Sequence, residues 1–163
     1  MTDRYLIRLA TPIGRIELVG DDDAVIALSI EREGSLPHDD LPERSNAVLD
    51  AARGQLDEYF AGDRTEFDVP VRLAGTPFQE AVWAELRRLQ WGEATSYGAL
   101  AAAVGRPGSA RAIGGAVGAN PIPIIVGCHR VLASDGRITG YSGGDGIPTK
   151  LWLLGHERIG FAA

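Results

Sequence analysis

Short runs of alternating apolar and polar residues open the chain. Residues 5–9 would turn every second side chain to one face of a strand, and the apolar-rich runs 15–19 and 24–30 flank an acidic turn at 21–23. Consecutive strands joined by tight turns are typical of an antiparallel meander. We therefore expect the chain to begin with a small antiparallel sheet.

A helical pattern follows the polar loop at 33–44. From Ser45, a candidate N-cap, apolar residues recur at helical spacing until Gly62 ends the predicted helix. The predicted apolar positions of this helix are Val48, Ala52, Leu56, Tyr59 and Phe60. Sheet and helix together predict a small α+β domain over residues 1–75.

A clear helix start marks a boundary near residue 75. Thr76 supplies a capping hydroxyl, Pro77 stands at the first helical position and Gln79 at the third. The predicted buried stripe of this helix is Val82, Leu86 and Leu89, with Trp83 beside it. We therefore assign residues 76–163 to a second domain.

Two short helices of the second domain form a helix-turn-helix pattern. The first spans 96–103 with Ser96 as its cap, the second spans 109–118 with Ser109 as its cap, and a turn at 106–108 separates them. The predicted fold class is α+β. It combines an N-terminal antiparallel-sheet domain that carries a helix with a mainly helical C-terminal domain that contains a winged-helix-like helix-turn-helix.

Composition predicts a reducing compartment and no membrane partner. The 163 residues contain one cysteine, so no internal disulfide can form, and 45% hydrophobic residues suffice for a core without one. Residues 1–18 interrupt their apolar positions with Asp3, Arg4 and Arg8, which argues against a signal peptide or a membrane span there. A cytoplasmic protein is expected.

A net charge of −6 is unusual for a protein that binds nucleic acid. The distribution of the charges along the chain therefore has to be considered as well as their total. Residues 1–75 carry 16 acidic and 8 basic side chains, net −8, whereas residues 76–163 carry 6 acidic and 8 basic, net +2. An acidic half can simply keep a protein in solution. If DNA is the partner, it must contact the second half.

The second helix of the helix-turn-helix has few side chains that could read a DNA sequence. Major-groove helices specify bases with several polar side chains, but here only Arg111 is long and polar. Gly114, Gly115, Ala116 and Gly118 leave a smooth surface around it, and the candidate DNA-contacting residues are Ser109, Ala110, Arg111, Gly114 and Gly115. Minor-groove docking fits this surface, with Arg111 projecting into the duplex as a wedge. Alternatively, the small residues serve tight helix packing and Arg111 is a solvated surface charge.

Cys128 is the candidate nucleophile. A lone cysteine is more often an inert buried apolar residue. Cys128, however, follows an apolar, strand-like run at 122–126 and precedes His129 and Arg130, with Glu157 downstream, and these are the parts of a base-activated thiolate. Neighbouring side chains on an extended chain point apart, so a bridging water would carry the proton to His129. The histidines are scattered, and no metal or cofactor is expected.

Three motifs of the second half keep a distinctive order and spacing. They are NPIPIIVGCHRV at 120–131, GYSGG at 140–144 and KLWLLGHE at 150–157. Together they resemble the O6-alkylguanine-DNA alkyltransferases, and the similarity spans nearly all of residues 76–163. The resemblance implies a monomeric DNA repair protein. It would take an alkyl group from the O6 atom of a flipped-out guanine in double-stranded DNA onto its own cysteine, once per molecule.

The resemblance also implies roles for individual residues. Cys128 would accept the alkyl group, His129 and Glu157 would complete a water-bridged relay that deprotonates it, and Asn120 would brace the turn before the active-site strand. Arg111 would fill the place that the flipped base leaves in the stack. The residues implied to contact the flipped nucleotide are Tyr97, Tyr141 and Ser142, with the main-chain carbonyls of Cys128 and Val131.

One position departs from the family pattern, because Gly127 stands where the family usually has proline.

Two other functions remain open from the residues alone. A non-catalytic helix-turn-helix protein could regulate transcription or sense alkyl lesions, but it would not need Cys128. A cysteine hydrolase that uses Cys128 and His129 would turn over and would need an oxyanion hole, and it leaves the helix around Arg111 unexplained.

Overall fold

The computed structural model describes residues 3–162, which divide into two compact units. The first unit runs up to Arg72 and includes Gly143–Asp145, and the second comprises Leu73–Ser142 and the chain from Gly146 onward. None of the helices within residues 3–162 has the length and apolar character that a membrane crossing requires.

The first unit is a three-stranded sheet with one helix. Its elements are β1 (Tyr5–Thr11), β2 (Gly14–Gly20), β3 (Val25–Ile30) and α1 (Ala47–Ala61). The strands pair antiparallel in the order β1-β2-β3, so the predicted meander is confirmed. Ile16 lies opposite Leu9 on one side and Ile30 on the other, and all three side chains are buried. α1 packs against this sheet because its apolar stripe provides the second layer of the core.

The start of α1 differs from the prediction by one residue. Asn46 is the N-cap, and its side chain accepts a hydrogen bond from the Leu49 N–H at 3.0 Å. Ser45, the predicted cap, instead donates its hydroxyl to Asp50 at 2.6 Å. The helix therefore buries Leu49, while the predicted position Val48 is only half-buried. Gly62 ends the helix in the left-handed conformation at φ 84°, as predicted.

The second unit is mainly helical. Its elements are α2 (Pro77–Arg88), β4 (Thr95–Ser96), α3 (Tyr97–Ala103), α4 (Ala110–Gly118), a 3₁₀ turn (Cys128–Arg130), β5 (Val131–Leu132) and α5 (Ile147–His156). The capping box predicted for α2 is present, because Thr76 accepts from the Gln79 N–H and Gln79 accepts from the Thr76 N–H. The short strands β4 and β5 pair in parallel. The predicted α+β class is confirmed.

The helix α3 starts as predicted, but α4 does not. The Ser96 hydroxyl accepts from the Ala99 N–H at 3.1 Å and caps α3. Ser109 precedes α4 without making a side-chain capping bond, so this predicted cap is wrong. The reason is its backbone, which lies at φ −97° and ψ 36°, whereas an N-cap needs an extended conformation to reach the helix amides.

Packing separates an inner and an outer face of α4. Ile113, Ala116 and Val117 are buried, and α4 contacts both α2 and α3. The indole N–H of Trp83 donates to the Ala116 carbonyl at 2.8 Å, a contact that fixes α4 against α2. Arg111 lies on the exposed face. The small residues of α4 therefore include one, Ala116, that does serve helix packing.

Candidate active site

A pocket of about 610 Å³ lies among α3, α4 and the loop after β5. The predicted site residues found in its walls are Tyr97, Ala110, Arg111, Gly114, Cys128, Tyr141 and Ser142. The predicted residues His129, Val131 and Glu157 lie outside the lining and are fully buried, and Asn120 is half-buried. Ser109 and Gly115 also lie outside the described lining. Cys128, which is 4% exposed, thus connects an open pocket to a buried polar cluster.

The segment before Cys128 is a tight turn, so the predicted strand-like run at 122–126 is wrong. The Val126 N–H donates to the Ile122 carbonyl at 2.9 Å, which closes the turn. Ile124 has φ 74°, a left-handed value that is rare for a β-branched residue. Pro121 before the run and Pro123 within it explain the absence of a strand, because proline has a fixed φ and no N–H for a sheet ladder.

Asn120 bonds both ends of this turn. Its side-chain oxygen accepts from the Ile122 N–H at 3.0 Å, and its NH₂ group donates to the Val126 carbonyl at 2.9 Å. The Cys128 N–H then donates to the same Val126 carbonyl at 2.8 Å, and the chain enters the 3₁₀ turn. Asn120 therefore links the end of α4 to the backbone that carries the cysteine.

The surroundings of Cys128 shift the pKa of its thiol in opposite directions. Burial raises the pKa of the thiol, because a thiolate loses the solvation of water. Hydrogen bonds from the side chains of Asn120 and Tyr141, and the positive charge of Lys150, act in the opposite direction. In the free protein burial prevails, so the thiol keeps its proton until a base removes it.

His129 and Glu157 form a buried pair behind the cysteine. His129 Nε2 lies 2.7 Å from Glu157 Oε2, and both side chains are fully buried. Burial lowers the pKa of His129, although the carboxylate of Glu157 opposes this effect. His129 Nδ1 is also buried, and among residues 3–162 no protein group hydrogen-bonds it. A neutral imidazole thus presents a free ring nitrogen in the interior, where it can accept a proton.

Arg130 holds the other side of the Glu157 carboxylate. Its Nε donates to Oε1 at 2.7 Å and its Nη2 to Oε2 at 3.1 Å, a bidentate ion pair, while Nη1 donates to the Leu89 carbonyl at 2.9 Å. Burial alone would raise the pKa of Glu157, but the bonds and charges of His129 and Arg130 hold it well below its usual value. Glu157 therefore remains a carboxylate. The sequence places Arg130 beside the cysteine but gives no sign of this partner.

Lys150 is a buried cation that the sequence motif contains but to which we assigned no role. Its side chain is 1% exposed, and its Nζ donates to the Val131 carbonyl at 2.7 Å and to the Gly140 carbonyl at 3.4 Å. Burial lowers its pKa, and the nearby Cys128 opposes this. The sequence contains a signal that Lys150 is buried, since Lys150 lies on the same helical face as the apolar residues Leu153 and Leu154. The Val131 carbonyl keeps a second lone pair for another donor.

The loop at 139–142, which we call the pocket loop, is attached to three neighbouring elements. The hydroxyls of Thr139 and Tyr97 lie 3.0 Å apart, and the Ser142 hydroxyl donates to the Gly118 carbonyl at 3.0 Å. The third attachment is the bond from Lys150 to Gly140 described above. The pocket loop is thereby fixed to α3, α4 and α5, and it forms one wall of the pocket.

Gly127 adopts a backbone conformation that proline also adopts. Its φ is −75° and its ψ 60°, so this position does not use the positive φ that favours glycine. The space around it is tight, however. A Cβ at this position would lie 2.9 Å from Arg130 Nη1 and 3.0 Å from Arg130 Cδ. Any side chain at 127 must therefore displace an arginine that Glu157 and Leu89 hold in place.

Two variants separate these effects at position 127. Gly127→Ala introduces the crowding of Arg130, and Gly127→Pro introduces the same Cβ but also restricts the unfolded chain. We expect Gly127→Pro to be more stable than Gly127→Ala by about 0.5–1 kcal/mol. Thermal melting of the two variants measures this difference. A proline variant that melts below the alanine variant would show that the proline-like φ is not the deciding factor.

Two family models match successive parts of the chain. The model described as "6-O-methylguanine DNA methyltransferase, ribonuclease-like domain" matches residues 5–73. The model described as "6-O-methylguanine DNA methyltransferase, DNA binding domain" matches residues 77–159. Together they cover both compact units.

Curated relatives and solved structures agree with these matches. The methylated-DNA–protein-cysteine methyltransferase of Haemophilus influenzae is 37% identical, over 98% of this chain and 89% of that protein. The crystal structure of Mycobacterium tuberculosis O6-methylguanine methyltransferase is 40% identical, covers 96% of this chain and 93% of that one, and superposes with a TM-score of 0.84. A structure of Mycobacterium tuberculosis OGT in complex with DNA is 42% identical over 93% of this chain and 91% of that one, with a TM-score of 0.83.

Proposed function

The chain belongs to the 6-O-methylguanine DNA methyltransferase family, and from this premise we propose that Cys128 is the residue that accepts the alkyl group. The protein repairs DNA by alkyl transfer, as a methylated-DNA–protein-cysteine methyltransferase. The observation that carries the proposal is the position of the sulfur. The only cysteine of the chain lies in the wall of a pocket that it shares with Arg111 and Tyr97, and a buried imidazole and carboxylate lie behind it.

The proposed reaction is an in-line displacement at the alkyl carbon of O6-alkylguanine. Sγ of Cys128 forms a bond to that carbon, and the bond from the carbon to O6 breaks with its electron pair remaining on the base. The thiol proton leaves Cys128 through a water molecule to His129 Nδ1. The guanine anion takes up one proton from water, and the imidazolium of His129 returns its proton to water, so the protons balance. A thiol and an alkylguanine thus become a thioether and guanine.

Glu157 makes His129 an effective proton acceptor in this scheme. The carboxylate stabilises the imidazolium that forms, and it holds the ring by its Nε2 so that Nδ1 receives the proton. Because the bonds and charges of His129 and Arg130 keep the pKa of Glu157 low, the proton stays on His129 and does not pass on to the carboxylate. Once the imidazolium has formed, its charge favours the neighbouring thiolate.

Each molecule is expected to react once. A thioether is not readily hydrolysed, and the sequence offers no second cysteine that could regenerate the first. A thiol that must stay reduced suits the cytoplasm, where we place the protein. We expect it to act as a monomer.

The comparisons do not favour the alternative of a non-catalytic DNA-binding or lesion-sensing protein, since the curated relatives carry transferase names.

DNA is the partner, and we propose that α4 docks in its minor groove. The exposed face of α4 combines small residues with a single long cation, Arg111, so it can approach the backbone closely but can read few bases. Arg111 also lines the pocket, which supports a position for it beside the path of a flipped nucleotide. We assign it the role of filling the gap in the base stack while guanine occupies the pocket.

Comparing two substrates tests this function. Wild-type protein should take the alkyl group both from a duplex carrying O6-methylguanine and from the free base O6-benzylguanine. Arg111→Ala should slow transfer from the duplex by about tenfold or more but change transfer from the free base by no more than about twofold, because a free base needs no flipping. Arg87→Ala, which removes an exposed arginine of α2, is the matched control.

The two readouts separate the ways in which the proposal can fail. Equal losses on both substrates would make Arg111 a structural residue of the pocket. A wild-type protein that leaves both substrates alkylated would contradict the proposed function itself.

A further inference from the structure

The hydroxyl of Tyr97 has a partner in the free protein, and that partner is Thr139. The two oxygens lie 3.0 Å apart across the pocket, between the first residue of α3 and the first residue of the pocket loop. Both residues line the pocket. The pair is built from side chains 42 positions apart in the sequence, so it is a tertiary contact of the pocket walls.

We propose that Thr139 is a positioning residue that orients the Tyr97 hydroxyl toward the flipped base. The inference rests on the proposed function and adds to it that the Tyr97 hydroxyl, which lines the pocket, donates a hydrogen bond to the guanine as negative charge develops on the base. Thr139 itself acts through Tyr97 and does not need to touch the base.

The hydrogen count of the two hydroxyls explains the need for an orienting partner. A phenol has a single hydrogen, which it can give either to Thr139 or to the base. If Thr139 donates to the Tyr97 oxygen, the phenolic hydrogen remains free and points away from Thr139 into the pocket. Guanine that gains negative charge favours this arrangement, because hydrogen bonds to charged acceptors are stronger than those between neutral groups.

The same arrangement makes Tyr97 a stronger donor. A hydrogen bond received at the phenolic oxygen polarises the O–H bond, and bonds in such a chain strengthen one another. The contribution should appear mainly in the transition state, where the charge on the leaving base is largest. Loss of the Thr139 hydroxyl should therefore slow the chemical step and leave DNA binding nearly unchanged.

Thr139 can be altered without releasing the pocket loop. The bonds from Lys150 to Gly140 and from Ser142 to Gly118 do not involve it. Thr139 is exposed, so its replacement by valine creates no cavity in the core. A valine keeps the shape of threonine and removes only the hydroxyl, whereas a serine keeps the hydroxyl and removes only the methyl group.

The test is a double-mutant cycle on the single-turnover rate with saturating O6-methylguanine duplex. We expect Thr139→Val to slow transfer by about tenfold, with the Kd for DNA within about twofold of wild type, and Thr139→Ser to recover most of the rate. In the Tyr97→Phe background, Thr139→Val should have no further effect, because the hydroxyl that it orients is gone.

Failure of this inference can be told apart from failure of the proposed role of Tyr97. If Tyr97→Phe transfers as fast as wild type, the donor role of Tyr97 is wrong and Thr139 has nothing to orient. If Tyr97→Phe is slow but Thr139→Val is not, or if the two losses multiply in the double variant, the role of Tyr97 stands and that of Thr139 is overturned. A serine variant as slow as the valine variant overturns it as well.

Discussion

Glu157→Gln should lose about 3–5 kcal/mol of folding stability. It should also slow alkyl transfer on the order of 100-fold, because it disables the proposed proton acceptor. The stability loss follows from Arg130, whose buried guanidinium forms a bidentate ion pair with this carboxylate. Glutamine keeps the shape but removes the charge, so a buried cation is left without its counterion. The rate loss follows from His129, whose imidazolium loses the negative charge that stabilises it.

A second variant separates the two effects. In Glu157→Gln combined with Arg130→Met the uncompensated cation is gone, so part of the stability should return while transfer stays slow. Denaturant unfolding and single-turnover rates, both measured where each variant is folded, provide the comparison. Glu80→Gln, an exposed carboxylate of α2, serves as the control and should change little. Recovery of transfer in the double variant would reduce Glu157 to a structural partner of Arg130.

The stability difference between wild type and Glu157→Gln should also depend on pH in a defined direction. Burial raises the pKa of Glu157, but the bonds to His129 and Arg130 outweigh burial and hold this pKa in the folded protein below its ordinary value of 4.5. Its contribution is therefore fully present above the ordinary pKa and is lost as the pH falls below it. Unfolding measured at neutral pH and at pH values below 4.5 should show the gap narrowing in acid.

Local signals in the sequence were sufficient for most of the fold. The capping box at Thr76, the left-handed glycine at Gly62 and the alternating strands depend on neighbours within a few residues, so they could be predicted correctly. The errors at Ser45 and Ser109 concern which residue adopts an extended backbone at a helix start. That choice depends on tertiary packing, which the capping residue type alone does not determine.

The site was predictable as a set of residues but not as a network. The sequence and its family resemblance named Cys128, His129 and Glu157, and the structure places the last two in contact. The pairing of Arg130 with Glu157 and the bonds of Lys150 to Val131 and Gly140 join distant segments, and no spacing in the sequence reports them. The apolar run before Cys128 also misled the prediction, because its periodicity did not distinguish a buried turn from a strand.

Replacing Cys128 with serine should abolish alkyl transfer while DNA binding remains. A serine hydroxyl is far less acidic than a thiol, so His129 cannot generate a comparable nucleophile from it. The pocket should stay intact, because serine is close to cysteine in size. Transfer that persists in Cys128→Ser would place the acceptor elsewhere in the chain.

The central claim is that Cys128 takes one alkyl group per molecule, and intact-mass analysis tests it most directly. The protein is mixed with an excess of duplex carrying O6-methylguanine, and its mass, the modified peptide and the DNA bases are then determined. The account predicts one added methyl group on every molecule, located on Cys128, with an equal amount of guanine restored in the DNA. More guanine restored than protein present, with Cys128 unmodified, or no transfer at all, would contradict it.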